Sequence, residues 1–508
     1  MISAYTGTQI REAEQRFFQA SLSSGAGAVL MQRAAYGLAN AVVRELSLRG
    51  IRRYGASVAV LAGKGNNGGD GLFAAALLAA RGMRATAVLT AGEAHPDGLA
   101  ALERAGGRIR ILSDHNAGEL AAEAASTDVV IDAVLGTGAK GGLRGEAASL
   151  VGKLRAAPRG FVVACDIPSG VDADTGEAYD PVLPADITVT FGGAKAGLFA
   201  DPGADYAGQV QVVPIGIETD LPSPVLRRLE SADLARLLPA PERRSHKYSR
   251  GVLGVVAGSQ LYPGAAVLAC RGALSAGAGM VRYLGPPEPT RLVRQACPEV
   301  VCGPDSVADA HVQAWLVGSG IADGDDEQLQ RVRDAVDTGL PVAADAGALP
   351  ALPDALARHV VLTPHAGELA HLLQRYGIDL GRQGVEGATL EAVRRAAERT
   401  GATVLLKGAT TVVAAPSGPV FSQAEATPWM ATAGSGDVLA GVLGSLLAQH
   451  SDDEDKFTAF GIPPDQRWAA IAAMAASVHG RAGAAASAGG PVTAGAIANT
   501  VPEVMRTL

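Results

Sequence analysis

From Ser57 onward, short runs of valine, isoleucine and leucine alternate with longer stretches in which apolar residues recur every three or four positions. Uniformly apolar runs of four to seven residues suit strands covered on both faces, and the intervening periodicity suits helices, so the rhythm predicts βαβ units and a parallel sheet. The expected elements are strands over 57–62 and 85–89, a helix over 71–81 between them and another over 95–105. Further buried strands are expected over 129–135, 161–165, 187–191 and 209–213. Residues before Ser57 read as two amphipathic helices. This part of the chain is predicted to be a doubly wound, Rossmann-like three-layer α/β domain.

The pattern breaks between Glu218 and Arg250 into Pro222, Pro224, Pro239 and Pro241 among clustered charges, the composition of a domain junction. A boundary near Ser223 divides the chain into domains 1–222 and 223–508. A second α/β series follows, with strands expected over 252–257, 280–284, 314–317, 341–344, 360–362 and 403–406. The two halves share glycine-rich turns but differ in loop sequence and strand spacing, so they read as unrelated folds in tandem.

The 508 residues, 48% hydrophobic and 19% charged, supply two buried sheets with little sign of disorder. A net charge of −8, with no basic run longer than 242–247, argues against a nucleic-acid partner. No stretch reads as a membrane span, because the apolar segment 469–488 is alanine-rich and interrupted by His479 and Arg481. The N-terminus lacks a signal-peptide pattern, and Cys165, Cys270, Cys297 and Cys302 lack zinc-type spacing. Free thiols and a cytoplasmic location are expected.

Two glycine-rich loops of different design carry the candidate chemistry: Gly63-Lys-Gly-Asn-Asn-Gly-Gly-Asp-Gly71 and Ala433-Gly-Ser-Gly-Asp-Val-Leu-Ala-Gly441. Each precedes a helical stretch, where bare N–H groups and the helix dipole favour an anion. Gly63, Gly65 and Gly68 also spell GxGxxG, with Glu93 near the distance expected of a ribose-binding acid, which leaves a dinucleotide-binding Rossmann domain as a rival reading. Asn66, Asn67 and Asp70 are polar additions which that fingerprint does not need. The strand ends Ile131-Asp-Ala-Val-Leu-Gly-Thr-Gly-Ala-Lys-Gly-Gly142 and Cys165-Asp-Ile-Pro-Ser-Gly-Val-Asp172 would open onto the same crevice. There Asn67, Asp132 and Ser169 would offer oxygen ligands with one full negative charge, a set suited to a monovalent cation such as potassium. In the second half, Asp437 beside Gly434–Gly436 has the arrangement of a carboxylate next to an anion hole, with helix N-capping as its plain alternative. Lys407 and the hydroxyls of Leu406-Lys-Gly-Ala-Thr-Thr411 would lie near a nucleotide phosphate.

Together with Thr190-Phe-Gly-Gly-Ala-Lys195, the first-half motifs resemble the epimerase domain of bifunctional NAD(P)H-hydrate repair enzymes. His246-Lys-Tyr-Ser-Arg-Gly251, Tyr262-Pro-Gly-Ala-Ala266, Val317-Gly-Ser-Gly320, Thr363-Pro-His-Ala-Gly-Glu368 and the Asp437 loop resemble their ribokinase-like dehydratase domain. The resemblance implies epimerisation of the R and S hydrates of NADH and NADPH, then dehydration of the S form driven by ADP or ATP, with magnesium on the phosphates and potassium in the epimerase. It places the epimerase substrate on Asn66, Asn67, Gly68, Gly69, Asp70, Gly136, Thr137, Gly138, Ala139, Lys140, Gly141, Gly142 and Asp166, and potassium on Asn67, Asp132 and Ser169. Asp166 and Lys195 form the candidate acid/base pair. In the dehydratase, Ala265, Gly320, His365 and Asp437 would hold the hydrate, with Asp437 as base, and Lys407, Gly408, Ala409, Thr410, Thr411 and Gly436 the nucleotide. Bacterial-style fusion favours ADP, and domains of this kind imply a homo-oligomer. The chain departs from its relatives at Gly318-Ser-Gly-Ile-Ala322 and at Ala344-Asp-Ala-Gly347, where Asp345 is the only acid. The alternative is a ribokinase-type small-molecule kinase with a non-catalytic scaffold or nucleotide-sensing first domain.

Overall fold

A computed structural model describes residues 1–20, 26–303 and 306–508. It divides into two compact units, Ser3–Val225 and Leu226–Leu508, the latter including Met1–Ile2.

In the first unit the apolar runs form seven parallel strands, in the order Arg108–Ile111, Arg84–Leu89, Ser57–Ala62, Val129–Ala133, Phe161–Cys165, Ile187–Phe191 and Gln209–Val213. The central strands are buried on both faces, which explains why their sequences do not alternate. Strand order reverses between Ser57–Ala62 and Val129–Ala133, whose register pairs Leu61 with Asp132 and Ala62 with Ala133. At such a switch point the loops leaving the two strands diverge and leave a crevice at their carboxyl ends. The glycine loop and the Asp132 loop are those two loops. The expected N-terminal helices are present over Gly7–Ala20 and Ala26–Leu48.

The helix expected over 71–81 begins earlier, at Asn66, and runs to Ala80. The glycine motif is therefore the helix's first turn, and the reason is steric: a Cβ at Gly68 would run into the carbonyl of Gly63, and one at Gly63 into that of Val134. Only bare backbone lets the helix start this close to the sheet.

The second unit's sheet runs Val301–Cys302, Met280–Leu284, Val252–Val256, Ala314–Val317, Val342–Ala344, Val360–Leu362, Thr403–Leu406, Thr411–Ala414, Val420–Gln423 and Leu226–Arg228. Pairing is parallel as far as Thr403–Leu406, then antiparallel through Val420–Gln423, a hairpin extension that the βαβ rhythm did not predict. The apolar segment 469–488 forms all but the first two residues of a helix, Arg467–Ser487, with Ala488 as its C-cap, buried along nearly its whole length. Alanines at 10 of its 21 positions let neighbouring elements approach closely. No helix among the described residues is long and apolar enough to cross a membrane, and all four cysteines are free thiols.

Candidate active sites

In the first unit a cavity of about 750 Å³ opens at the switch point. Asn66, Asn67, Asp70, Gly136, Thr137, Gly138, Ala139, Gly142, Asp166 and Lys195 all line it, so the two loops and the two later strand ends converge as expected. Gly68 and Gly69 are instead buried in the helix's first turn. Lys140 points away, ion-paired with Asp172 at 3.3 Å and Asp174 at 3.6 Å. Glu93 is 70% exposed and pairs with Lys64 at 3.6 Å rather than facing the crevice.

Asp166 follows strand Phe161–Cys165 in left-handed backbone, φ 67°, a conformation Asp tolerates better than most residues. The turn directs its carboxylate inward, where Oδ1 accepts from Lys195 Nζ at 2.5 Å, Thr190 Oγ1 at 3.1 Å and the Phe191 N–H at 3.3 Å. Lys195, 1% exposed, also donates to the Phe191 carbonyl at 3.0 Å. A buried lysine and carboxylate held this closely, with the cavity beside them, can exchange protons with a bound molecule. Two more carboxyls line the cavity. Asp70 is held well above the usual carboxylate range by burial and by the charges of Asp166 and Glu14. Burial also raises Glu14, with Lys195 opposing the shift.

Behind the cavity Asp132 is fully buried, accepting from Ser169 Oγ at 2.6 Å, the Ser169 N–H at 2.8 Å and the Val134 N–H at 3.3 Å. Burial raises its pKa against these bonds. Ser169 Oγ is doubly engaged, since it also accepts from the Leu135 N–H at 2.9 Å. Asn67 donates through Nδ2 to the Leu135 carbonyl at 2.9 Å, while its buried Oδ1 has no hydrogen-bond partner.

In the second unit, Asp345 joins three other strand ends. Its Oδ1 accepts from Lys407 Nζ at 2.8 Å and Thr363 Oγ1 at 2.7 Å, and its Oδ2 from Ser319 Oγ at 3.0 Å. Lys407 begins the turn between Thr403–Leu406 and Thr411–Ala414; its main-chain N–H bonds the Pro364 carbonyl at 2.9 Å. Burial disfavours its charge, but Asp345 and Glu368 outweigh that, and its pKa is raised. Gly408 and Ala409 are exposed at the tip of this turn, and Thr410 is buried.

Asp437 lies in the first turn of helix Ser435–Gln449, whose N-cap is Gly434 at φ 89°. Asp437 is therefore not the residue that caps this helix. Burial, then the charge of Asp345, pushes its carboxyl up to about 6, against the pull of Lys407 and of the nearby Ser319 hydroxyl. A Cβ built on Gly436 would stand 3.6 Å from Lys407 Nζ, so the lysine faces the helix start. Gly320, φ 68°, packs against Ala265. His365 is 60% exposed and caps helix Ala366–Gln374 in a reciprocal box: its Nδ1 accepts from the Glu368 N–H at 3.1 Å while Glu368 accepts from the His365 N–H at 2.8 Å. Its motif spacing thus has a local structural cause.

Sequence reasoning missed Glu14, whose signal was its place on an amphipathic helix beside buried Ile10 and Ala13. It also gave no role to Ser319 and Thr363, small hydroxyls that acquire meaning only around Asp345.

Two family models match the chain, one described as NAD(P)H-hydrate dehydratase over residues 253–502 and one as YjeF-related protein N-terminus over residues 27–197. A bifunctional NAD(P)H-hydrate repair enzyme from Mycobacterium tuberculosis is 43% identical over 452 residues, covering 87% of this chain and 89% of that protein. One from Moorella thermoacetica is 34% identical over 94% of this chain and 92% of its own length. Among solved structures, an ADP/ATP-dependent NAD(P)H-hydrate dehydratase from Bacillus subtilis is 26% identical, with a TM-score of 0.47, over 55% of this chain and 97% of its own. Family descriptions for both halves and 43% identity running through both units place this chain among the bifunctional NAD(P)H-hydrate repair enzymes.

Proposed function

We propose that the first unit interconverts the R and S hydrates of NADH and NADPH, and that the second dehydrates the S form at the expense of ADP or ATP, giving AMP or ADP and phosphate. The observation that carries this reading is the acid/base pair Asp166 and Lys195 in the first unit together with, in the second, a carboxyl raised to about 6, Asp437, in the first turn of a helix that Lys407 faces.

The hydrate bears a hydroxyl on the ring carbon next to nitrogen. In the epimerase Asp166 takes the hydroxyl proton as the carbon–nitrogen bond opens to an aldehyde, and Lys195 supplies the proton that the ring nitrogen gains. Rotation and re-closure, with the protons returned, give the other epimer. Asn66, Asp70 and the 136–142 loop hold the dinucleotide, with bare N–H groups toward its phosphates. The orphaned Asn67 Oδ1, the spare lone pairs of Asp132 and the one lone pair left on the Ser169 hydroxyl suit potassium. When bound, potassium would add a positive charge beside the phosphate-facing loop.

In the dehydratase Asp437 removes the proton of the hydrate hydroxyl as its oxygen attacks the terminal phosphorus of the nucleotide. Phosphate, a far better leaving group than hydroxide, then departs as a proton is lost from the adjacent carbon, restoring the ring double bond. Lys407, already turned toward Gly436, would exchange Asp345 for the phosphates. Among the described residues no three His, Cys, Asp or Glu side chains are arranged to hold a metal ion, so magnesium would enter on the nucleotide's own phosphates.

The test mixes the purified chain with R and S NADPH hydrate, magnesium, potassium and either nucleotide, and follows the near-ultraviolet absorbance of the restored dihydronicotinamide. A nucleotide-dependent rise that consumes both epimers is expected. A rise that stops with the S form exhausted would remove the epimerase, and a phosphorylated product without any rise would leave a small-molecule kinase.

A further inference from the structure

Helix Arg467–Ser487 contributes one imidazole to the interior of the second unit. His479 is buried, and its Nε2 lies 3.4 Å from Ser435 Oγ, the first residue of helix Ser435–Gln449. It is also close enough to Lys407 to feel its charge. Ser435 itself is buried, its N–H bonded to the Thr432 carbonyl at 3.3 Å.

We propose that His479 is a positioning residue of the dehydratase, locking Ser435 so that the Gly436 and Asp437 N–H groups stay aimed at the nucleotide's phosphates. First-turn N–H groups have no acceptor within their own helix, so their direction toward an anion depends on what fixes that turn. Here the preceding residue, Gly434, is in left-handed backbone, and a Cβ on it would strike Leu268, so packing closes one side of the turn. The opposite fixed point is a polar contact supplied from 44 positions along the chain. Burial lowers the imidazole's pKa to about 4, so the ring is neutral near pH 7. It therefore acts through geometry, adding no second cation beside Lys407. The Nε2 of a neutral ring donates to the Ser435 hydroxyl or accepts from it, according to the tautomer. An aliphatic side chain would fill the space and do neither.

The inference rests on the reading of Gly436 and Lys407 as nucleotide contacts. Its test compares the full-length chain with His479→Leu, His479→Gln and Ser435→Ala, measuring nucleotide KM and kcat for dehydration, with epimerisation and thermal unfolding as checks on the fold. His479→Leu is expected to raise the nucleotide KM about five- to tenfold, the worth of a buried hydrogen bond. Gln, whose amide offers a donor and an acceptor, should recover most of that loss, and a Leu–Ala double variant should lose no more than either single one. If His479→Leu does not fold, the smaller Ser435→Ala change must by itself raise the nucleotide KM. Unchanged KM in His479→Leu or in Ser435→Ala, or additive losses in the double variant, would overturn the positioning role while leaving the dehydratase assignment intact. A wild-type chain with no nucleotide-dependent dehydration would overturn both.

Discussion

Replacing Asp345 by Asn should shift the acid limb of dehydration to lower pH. Asp437 must be ionised to act as a base, and its pKa is pushed up to about 6 by burial and by the Asp345 charge. In the wild type, activity is therefore present above this value and falls about tenfold per unit as the pH drops below it. Asparagine keeps the size of the hub and can still bond Ser319 and Thr363, but it removes a like charge from beside Asp437. Lys407, which leaves its 2.8 Å ion pair with Asp345 for the phosphates once nucleotide is bound, does not offset this change. A neighbouring charge moves a carboxyl by about one to three units; with burial still opposing ionisation, a downward shift of about one unit is expected. The assay is kcat against pH at saturating hydrate and nucleotide, with the epimerisation profile as a control that should not move. A limb that stays in place, or moves upward, would refute the coupling between Asp345 and the base.

Asp437→Asn should cost dehydration about a hundredfold or more while sparing epimerisation. It should also stabilise the second unit at pH 7: a carboxyl whose folded pKa is raised contributes stability below its unfolded value of about 4 and loses it as pH rises through about 6, so its removal relieves about 1–3 kcal/mol. The mutant's gain in unfolding temperature should vanish near pH 4. Asp166→Asn, which retains a residue tolerant of φ 67°, should reverse the pattern, abolishing epimerisation and leaving conversion of the S form intact; parallel loss of both activities would break the division of labour. Asn67→Leu removes the orphaned oxygen and should abolish any potassium dependence of the epimerase, read as rate against potassium concentration at constant ionic strength.

Much of this architecture is visible in the chain because parallel strands buried on both faces must be written as short apolar runs. The strands at Phe161–Cys165, Ile187–Phe191 and Met280–Leu284 coincide with theirs. The hairpin Thr411–Ala414 and Val420–Gln423 escaped because it breaks the βαβ rhythm, and helix Arg467–Ser487 because small and apolar residues around its whole circumference, with burial on all sides, leave no amphipathic stripe to read. At the sites, residues clustered in one motif were legible together, as Asn66, Asn67 and Asp70 were. Asp345 was noticed as a solitary acid, yet its partners Ser319, Thr363 and Lys407 come from three other strand ends, and only the sheet's register brings them within bonding distance. Glu14 and His479 stand alone in helices, where nothing local distinguishes a site residue from a solvated or core one.

The abutting backbones at Gly63 and Gly68 change how variants of the first glycine loop should be interpreted. A methyl group at either position has main chain as its obstacle, which cannot rotate aside, so alanine at Gly68 must push the helix away from Gly63, and alanine at Gly63 must push that loop away from Val134. Asn67 rides on that helix, and its bond to the Leu135 carbonyl ties it to the neighbouring loop. An alanine scan of this loop would therefore register large losses at Gly63 and Gly68 through displaced backbone. At Gly68 the scan would measure the spacing between two walls of the crevice; Asn66 and Asp70, whose side chains line the cavity, are the positions at which it would measure recognition.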